Sequence, residues 1–313
     1  MITTLTAHPS IDRTLRVTRL ERGGLMRASS VLVECAGKGV NVARALAVNG
    51  HAARAVLPAC DDDARAFAAL LHATGADICT VSIRGRTRTA ITLIEPDATI
   101  TKINEPGPAL HASECEALVA AAVSAARDSQ WLVASGSLPP GAPPDMYAKL
   151  AAALPAAREQ LVADTSGGAL ASLVGIPCAV VKPNLAELAE VAGRALHTVG
   201  EVIDAAQCLR GKGWGTVLVS LGRNGCVLID DEATYGTVRV RAVCNSVGAG
   251  DALLAGFLSA GGRGAAALGE GLAWAGASIR SEGTVGPTVL EHDRRAVTLA
   301  ERPPHGLPIG GSA

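Results

Sequence analysis

Residues 245–257, NSVGAGDALLAGF, set a single aspartate among glycines and alanines at the start of an apolar run. Gly248 and Gly250 open backbone angles that are closed to other residues. Leu254, Phe257 and Leu258 recur at helical spacing, so Asp251 falls in the first turn of a helix. The N–H groups of Ala249, Gly250 and Asp251 then point out of the helix start without intrahelical acceptors. With the positive end of the helix dipole they form a nest for phosphate oxygens, beside a carboxylate that could take a proton. The plainer alternative is a glycine turn with Asp as a cap. A cap does not call for small residues on both sides, whereas close approach of a ligand does.

Three further stretches have the same character. In ECAGKGVNVA, residues 34–43, Gly37 and Gly39 flank Lys38, and Asn41 lies at the opening of a helical run. In VVKPNLAELAE, residues 180–190, a strand ends at Lys182, Pro183 fixes the turn, and Asn184 and Glu187 can share a helical face. N-x-x-E is equally the pattern of a capping box. VSLGRNG, residues 219–225, joins two apolar strands through Ser220, Gly222 and Gly225, and on its own is a plausible loop. The chain has five lysines, Lys38, Lys102, Lys149, Lys182 and Lys212, and two of them fall in these stretches, where a compact point charge is useful. No G-x-x-x-x-G-K-[ST] loop occurs, which disfavours a Walker-type ATPase.

Further polar and basic residues lie at separated places along the chain. Asp12 ends AHPSID after the first strand, Arg27 lies fourteen positions before Asn41, Arg88 sits in GRTRTAITL, and Ser137 sits in SGSLPPG. Guanidinium groups pair with phosphate in bidentate fashion. In a chain whose basic residues are mostly Arg, Arg27 and Arg88 could also be plain surface arginines.

These residues need a scaffold. The chain has 313 residues, 49% hydrophobic and 18% charged, enough for a large core without disulfides. The net charge of -1 gives no general attraction to nucleic acid or membrane, so an anion must be held by local groups. The eight cysteines form no C-x-x-C pair and the seven histidines have no metal-ligand spacing, which predicts reduced thiols, a cytoplasmic protein and no structural metal. No signal peptide or membrane-spanning run is expected.

Apolar strand-like runs at 2–7, 53–58, 131–135, 160–164, 178–182, 216–221 and 226–230 alternate with helical ones at 39–49, 63–73, 113–127, 144–153, 184–192, 202–211, 250–259 and 264–281. This order predicts an α/β fold, a three-layer sandwich around a mostly parallel sheet with both faces covered. Segments 14–20, 88–95 and 99–103 alternate polar and apolar residues instead, which predicts a small antiparallel β lid with one wet face. One domain over residues 1–300, with a lid from about 12–34 and 84–104, is expected to end in a fraying Pro- and Gly-rich tail at 301–313.

GAGD with its flanking residues resembles the C-terminal signature of the PfkB, or ribokinase-like, carbohydrate kinases, with Ser246 in place of the usual Thr. AGKGVN is similar to that family's N-terminal signature, with Ala36 where many members have Gly; KPNLAE and SLGRNG match further family segments. The ordered set covers residues 1 to about 300. The resemblance implies Asp251 as catalytic base, with the backbone of Gly248, Ala249 and Gly250 as an anion hole. It implies Lys182, Asn184, Glu187, Ser220, Gly222 and Gly225 at an ATP site, where Asn184 and Glu187 act on Mg2+ through water and substrate oxygens. It puts Asp12, Arg27, Gly37, Lys38, Asn41, Arg88 and Ser137 on the substrate side. His8 stands where the family has Asn, and Ala90 where it often has Asn. The implied function is ATP-dependent phosphorylation of a sugar phosphate, with fructose 1-phosphate first and tagatose 6-phosphate or fructose 6-phosphate as alternatives. The implied partner is the phosphosugar, with a homodimer built on the lid. A nucleotide-binding regulator without catalysis is the rival from another class. A dehydrogenase would want G-x-G-x-x-G after the first strand, and AHPSID is not that.

Overall fold

The computed structural model describes residues 1–97, 99–240, 243–281, 283–284 and 286–310. The strands are β1 (Ile2–Thr6), β2 (Ser10–Arg16), β3 (Ser30–Ala36), β4 (Ala53–Ala59), β5 (Asp77–Ser82), β6 (Arg88–Ile94), β7 (Ile100–Asn104), β8 (Trp131–Ser135), β9 (Leu161–Asp164), β10 (Cys178–Val181), β11 (Trp214–Ser220), β12 (Cys226–Ile229), β13 (Ala233–Val238) and β14 (Val297–Leu299). The helices are α1 (Lys38–Val48), α2 (Asp61–His72), α3 (Ala112–Ala125), α4 (Met146–Ala153), α5 (Ala157–Gln160), α6 (Gly167–Ala171), α7 (Leu185–Ala192), α8 (Val199–Arg210), α9 (Ala249–Ser259), α10 (Gly264–Ile279) and α11 (Glu291–Arg295).

Among the described residues, ten strands form one sheet in the order β14-β13-β12-β11-β10-β9-β8-β1-β4-β5. Pairing is parallel from β5 through β11 and antiparallel across β12, β13 and β14. The core strands are buried at nearly every position because each face meets its own helical layer. Leu132, Ala134, Leu161, Ala163, Val217 and Val219 join one core cluster, while Trp131, Val133, Val162 and Leu218 join the other. Alternation in a strand therefore separates two interiors rather than inside from outside.

The second sheet runs β3-β2-β6-β7. It is antiparallel at β2–β3 and β6–β7 and parallel where β2 meets β6. Its first strand begins at Ser10 rather than near residue 14, because the ladder with β6 runs from Ser10 opposite Arg88 to Arg16 opposite Ile94. Ser10, Asp12 and Thr14 of β2, Arg88, Ala90 and Thr92 of β6, and Lys102 and Asn104 of β7 all line one cleft. The period-two pattern of these strands is thus a cleft-facing polar row.

Four strands, β3, β5, β13 and β14, were not read from sequence. β5 is an edge strand, and most of β3 is exposed; β13 and β14 form the other rim. The chain end also departs from expectation. Residues beyond Arg302 are not a loose tail as far as Gly310: the N–H groups of Val199 and Gly200 donate to the carbonyls of Leu307 and His305 at 3.1 and 2.9 Å, and Ile309 N–H donates to His197 O at 2.8 Å. Gly200 permits this approach, since a β-carbon there would stand 3.1 Å from His305 O. Residues 311–313 lie outside the described residues. No helix among the described residues is long and apolar enough to cross a membrane.

Ile309 is 6% exposed and joins the core cluster beside α8. Ile309→Ala should therefore cost roughly 2 kcal/mol, the low end for a buried Ile near a chain end. A chemical-denaturation midpoint checks this, and an unchanged midpoint is the result expected of a frayed tail.

Candidate active site

The cleft has a volume of about 400 Å³ and lies between the small sheet and the C-terminal ends of the central strands. Two glycine turns bring its helices in. Gly37 joins β3 to α1 with φ of 126°, and a β-carbon there would come within 2.6 Å of Thr6 Cγ2. Lys38 is the first residue of α1, and Asn41 follows one turn later, its N–H donating to Gly37 O at 2.8 Å. Gly248 precedes α9 in the left-handed region, φ 84°, and a β-carbon would lie 2.1 Å from Thr284 O. No side chain caps this helix start, and Gly248, Gly250 and Asp251 line the cleft. Uncapped amides at the wall of a cleft fit a phosphate group.

A buried ion pair locks the two turns together. Arg44 of α1 donates to Glu34 Oε1 of β3 at 2.7 Å, to Cys35 O at 3.0 Å and to Thr284 Oγ1 at 3.1 Å. Thr284 N–H donates in turn to Glu34 Oε2 at 3.2 Å. The residue whose carbonyl abuts Gly248 is therefore fastened to the strand that leads into Gly37.

The cleft floor holds two carboxylates with opposite fates. Asp164, at the end of β9, is fully buried and accepts from Lys38 Nζ at 2.8 Å, with Lys182 Nζ at 3.0 Å from its other oxygen. Burial favours its neutral form, but the two ammonium groups outweigh that and hold its pKa below the usual range. Lys38 feels the reciprocal effect: burial works against its charge, and Asp164 with Glu187, at 3.8 Å, overrides it and raises the pKa. Asp251 is 6% exposed, and its Oδ2 accepts from Asn41 Nδ2 at 2.8 Å. Burial first, and the Asp164 charge second, push its pKa up to about 7 against the pull of Asn41, Lys38 and Lys182. Two carboxyl groups driven apart in this way are suited to different tasks, one structural and ionised, one able to exchange a proton near neutrality.

Asp12, Gly37, Lys38, Asn41, Arg88, Lys182, Asn184, Ser220, Gly248, Gly250 and Asp251 line this single cleft. Ala249 lies between the two glycines as the first residue of α9. Ser220 ends β11 and bridges to Asn184, with Gly222 and Gly225 in the tight turn that follows. Asn184 and Glu187 form a reciprocal capping box, Glu187 N–H to Asn184 Oδ1 at 2.9 Å and Asn184 N–H to Glu187 Oε2 at 2.8 Å. Arg88 is steadied by backbone, Nη2 donating to His8 O at 3.1 Å and Nε to Pro9 O at 3.4 Å. Two residues stand apart. Ser137 lines a neighbouring hollow with His8, and Arg27 is exposed on the segment between β2 and β3.

Sequence reasoning left Asp164 without a role and did not single out Glu34, Arg44, Thr284, Lys102 or Asn104. The alternation in residues 99–103 was a usable signal for the last two. Among the described residues no group of three or more His, Cys, Asp or Glu could hold a metal ion directly.

A family model for the pfkB family of carbohydrate kinases matches residues 5–289. The chain belongs to this family. It is 32% identical to a 1-phosphofructokinase of Rhodobacter capsulatus over 97% of this chain and 98% of the relative. It is 35% identical to that of Xanthomonas campestris over 82% and 83%. The crystal structure of phosphofructokinase-2 from Escherichia coli in complex with potassium superposes with a TM-score of 0.85, at 28% identity, covering 94% of this chain and 96% of that one. As a PfkB member the chain is a sugar kinase with an α/β fold, a mostly parallel central sheet and a small second sheet.

The raised pKa of Asp251 makes a stability prediction. Its contribution is fully present below the unfolded carboxyl value of about 4 and is lost as pH rises through about 7. Asp251→Asn should therefore stabilise the free protein at pH 8, by up to ~4 kcal/mol, with the gain fading toward pH 4. Denaturation midpoints across that range check it; a variant less stable than the parent at pH 8 contradicts the assignment.

Proposed function

We propose that the chain transfers the γ-phosphoryl group of ATP to the 6-hydroxyl of fructose 1-phosphate, giving fructose 1,6-bisphosphate. One observation carries the reading: a buried aspartate held near neutrality sits on an uncapped helix start, in one cleft with a backbone-steadied arginine. The 32% identity to a 1-phosphofructokinase over 97% of the chain supports the choice of sugar.

Asp251 accepts the proton of the attacking hydroxyl. With its pKa near 7 the carboxylate is a better base than a free aspartate, and Asn41 fixes the oxygen it holds. The amides of Ala249, Gly250 and Asp251 receive negative charge on the phosphoryl oxygens, and Lys38 and Lys182 add positive potential at the cleft floor. Asp12 takes hydroxyls of the sugar with Gly37 and Asn41, and Arg88 takes its phosphate, with Ser137 reaching it from the neighbouring hollow beside His8. ATP supplies the phosphoryl group, and Mg2+ offsets its charge when bound. Lys182, Asn184, Glu187, Ser220, Gly222 and Gly225 would hold them. The capping box uses one oxygen each of Asn184 and Glu187, so contact with Mg2+ would run through water. Closure of the small sheet over the cleft, residues 12–34 and 84–104, excludes water as a competing acceptor.

A homodimer fits the same reading, because Val31, Leu32 and Val33 of the small sheet expose a run of apolar surface that a second copy could cover. Eight free cysteines fit a reducing, cytoplasmic setting.

Asp251→Asn should lower kcat by roughly 10²–10⁴ with the fold retained, and in the parent kcat/KM should fall as pH drops below about 7, where Asp251 protonates. Steady-state rates with fructose 1-phosphate read both, and undiminished turnover removes Asp251 from the mechanism. Arg88→Ala should weaken phosphosugar binding by about 1.5–3 kcal/mol and leave free fructose untouched. A coupled assay with fructose 1-phosphate, fructose 6-phosphate, tagatose 6-phosphate, free fructose and ribose decides the substrate; a higher kcat/KM for any of the others overturns the choice.

A further inference from the structure

On the reading above Arg88 of β6 and Ser137 of the loop after β8 serve the phosphate end, and His8 lies between them, its main-chain carbonyl toward Arg88 and its ring toward Ser137. Its Nε2 is 3.1 Å from Pro106 O, and its Nδ1 is 3.4 Å from Ser137 Oγ. A carbonyl only accepts, so the ring proton lies on Nε2. Nδ1 of a neutral imidazole is then an acceptor, and the Ser137 hydroxyl must donate to it. Gly107 makes room for the ring, since a β-carbon there would lie 2.6 Å from Nε2. The main-chain carbonyl of His8 meanwhile accepts from Arg88 Nη2.

The charged group facing the ring is Arg88 on β6; Pro106, Gly107 and Ser137, which also pack around it, carry no charge. Burial, and after it the Arg88 guanidinium, lower the imidazole pKa to about 4, so the free protein holds this histidine neutral. In that state Ser137 presents only lone pairs to the hollow it shares with His8. A phosphate dianion needs donors there, and its charge reverses the balance at the ring.

We propose that binding of the sugar's phosphate is coupled to uptake of one proton by His8. Ser137 turns its O–H to a phosphate oxygen, and Nδ1, protonated from solvent, becomes a donor to Ser137 Oγ. No heavy-atom bond changes, and the added positive charge offsets part of the dianion. His8 acts through Ser137 and is a positioning residue that favours phosphorylated over free sugars. The inference rests on the reading of Arg88 and Ser137 as the phosphate end.

The sign of the pH effect follows. Between the free-state value and the higher value in the complex, binding takes up a proton, so affinity for the phosphosugar falls as pH rises, by up to about tenfold per unit. The ligand's own second ionisation, near pH 6, contributes equally to a variant, so comparison with His8→Asn cancels it. An amide can donate and accept without titrating.

Calorimetry of fructose 1-phosphate binding at pH 6.5, in two buffers of different ionisation enthalpy, counts the protons. The parent should take up more than His8→Asn, and its KM should climb more steeply with pH between 6 and 8. His8→Gln repeats the test with a longer amide. Equal proton counts and parallel KM profiles in parent and both variants overturn the proposal while a large Arg88→Ala effect leaves the phosphate end standing. If Arg88→Ala also leaves the fructose 1-phosphate KM unchanged, the phosphate-end reading and the proposal fall together.

Discussion

Two carboxylates share the floor of the cleft, and the cations go to only one of them. Asp164 accepts from Lys38 and is ion-paired with Lys182, whereas Asp251 accepts from the Asn41 amide. Were the lysines to pair with Asp251, its carboxylate would be stabilised and its basicity lost. Their capture by a fully buried neighbour does the reverse, since Asp164 also repels charge on Asp251. Removing one partner of such a buried cluster is costly, several kcal/mol, because the others are left without compensation. The cluster therefore fixes β9, β10 and α1 relative to one another as well as tuning the base.

Backbone geometry imposes the second constraint. A nest of amides works only if its position is fixed to a fraction of an ångström relative to the carboxylate. Gly248 allows Thr284 O to lie where a side chain would be, and Thr284 is tied through Arg44 and Glu34 to the end of β3. One network of buried hydrogen bonds thereby registers the small sheet, α1 and the start of α9.

Much of this was legible in residue order. The central strands announced themselves because both faces are buried, and the start of α9 was readable from GAGD and the apolar spacing behind it. Rim strands were not, since β5 and β3 are largely exposed and show no sustained apolar period. The deeper gap concerns pairing. Lys38 and Asp164 are 126 positions apart, and Glu34 and Thr284 are 250 apart. Local spacing says which residues could do chemistry and nothing about which cation belongs to which anion. Arg27 shows the converse: its motif context pointed to the cleft, whereas its place on an exposed segment between β2 and β3 does not bring it there.

Register also shows what surrounds the alanine at position 90, where the family resemblance leads one to expect an amide. Asp12, Ala90 and Asn104 stand abreast on β2, β6 and β7, and all three line the cleft. Neighbouring strands are about 4.8 Å apart, so the Asn104 amide starts one strand spacing from the missing one, with Lys102 two residues along the same face. The short Ala90 side chain leaves room between Asp12 and Asn104 for a ligand hydroxyl to reach both. With Ala90 between them, Asp12 and Asn104 are the polar side chains that this wall presents to the cleft at that level of the sheet.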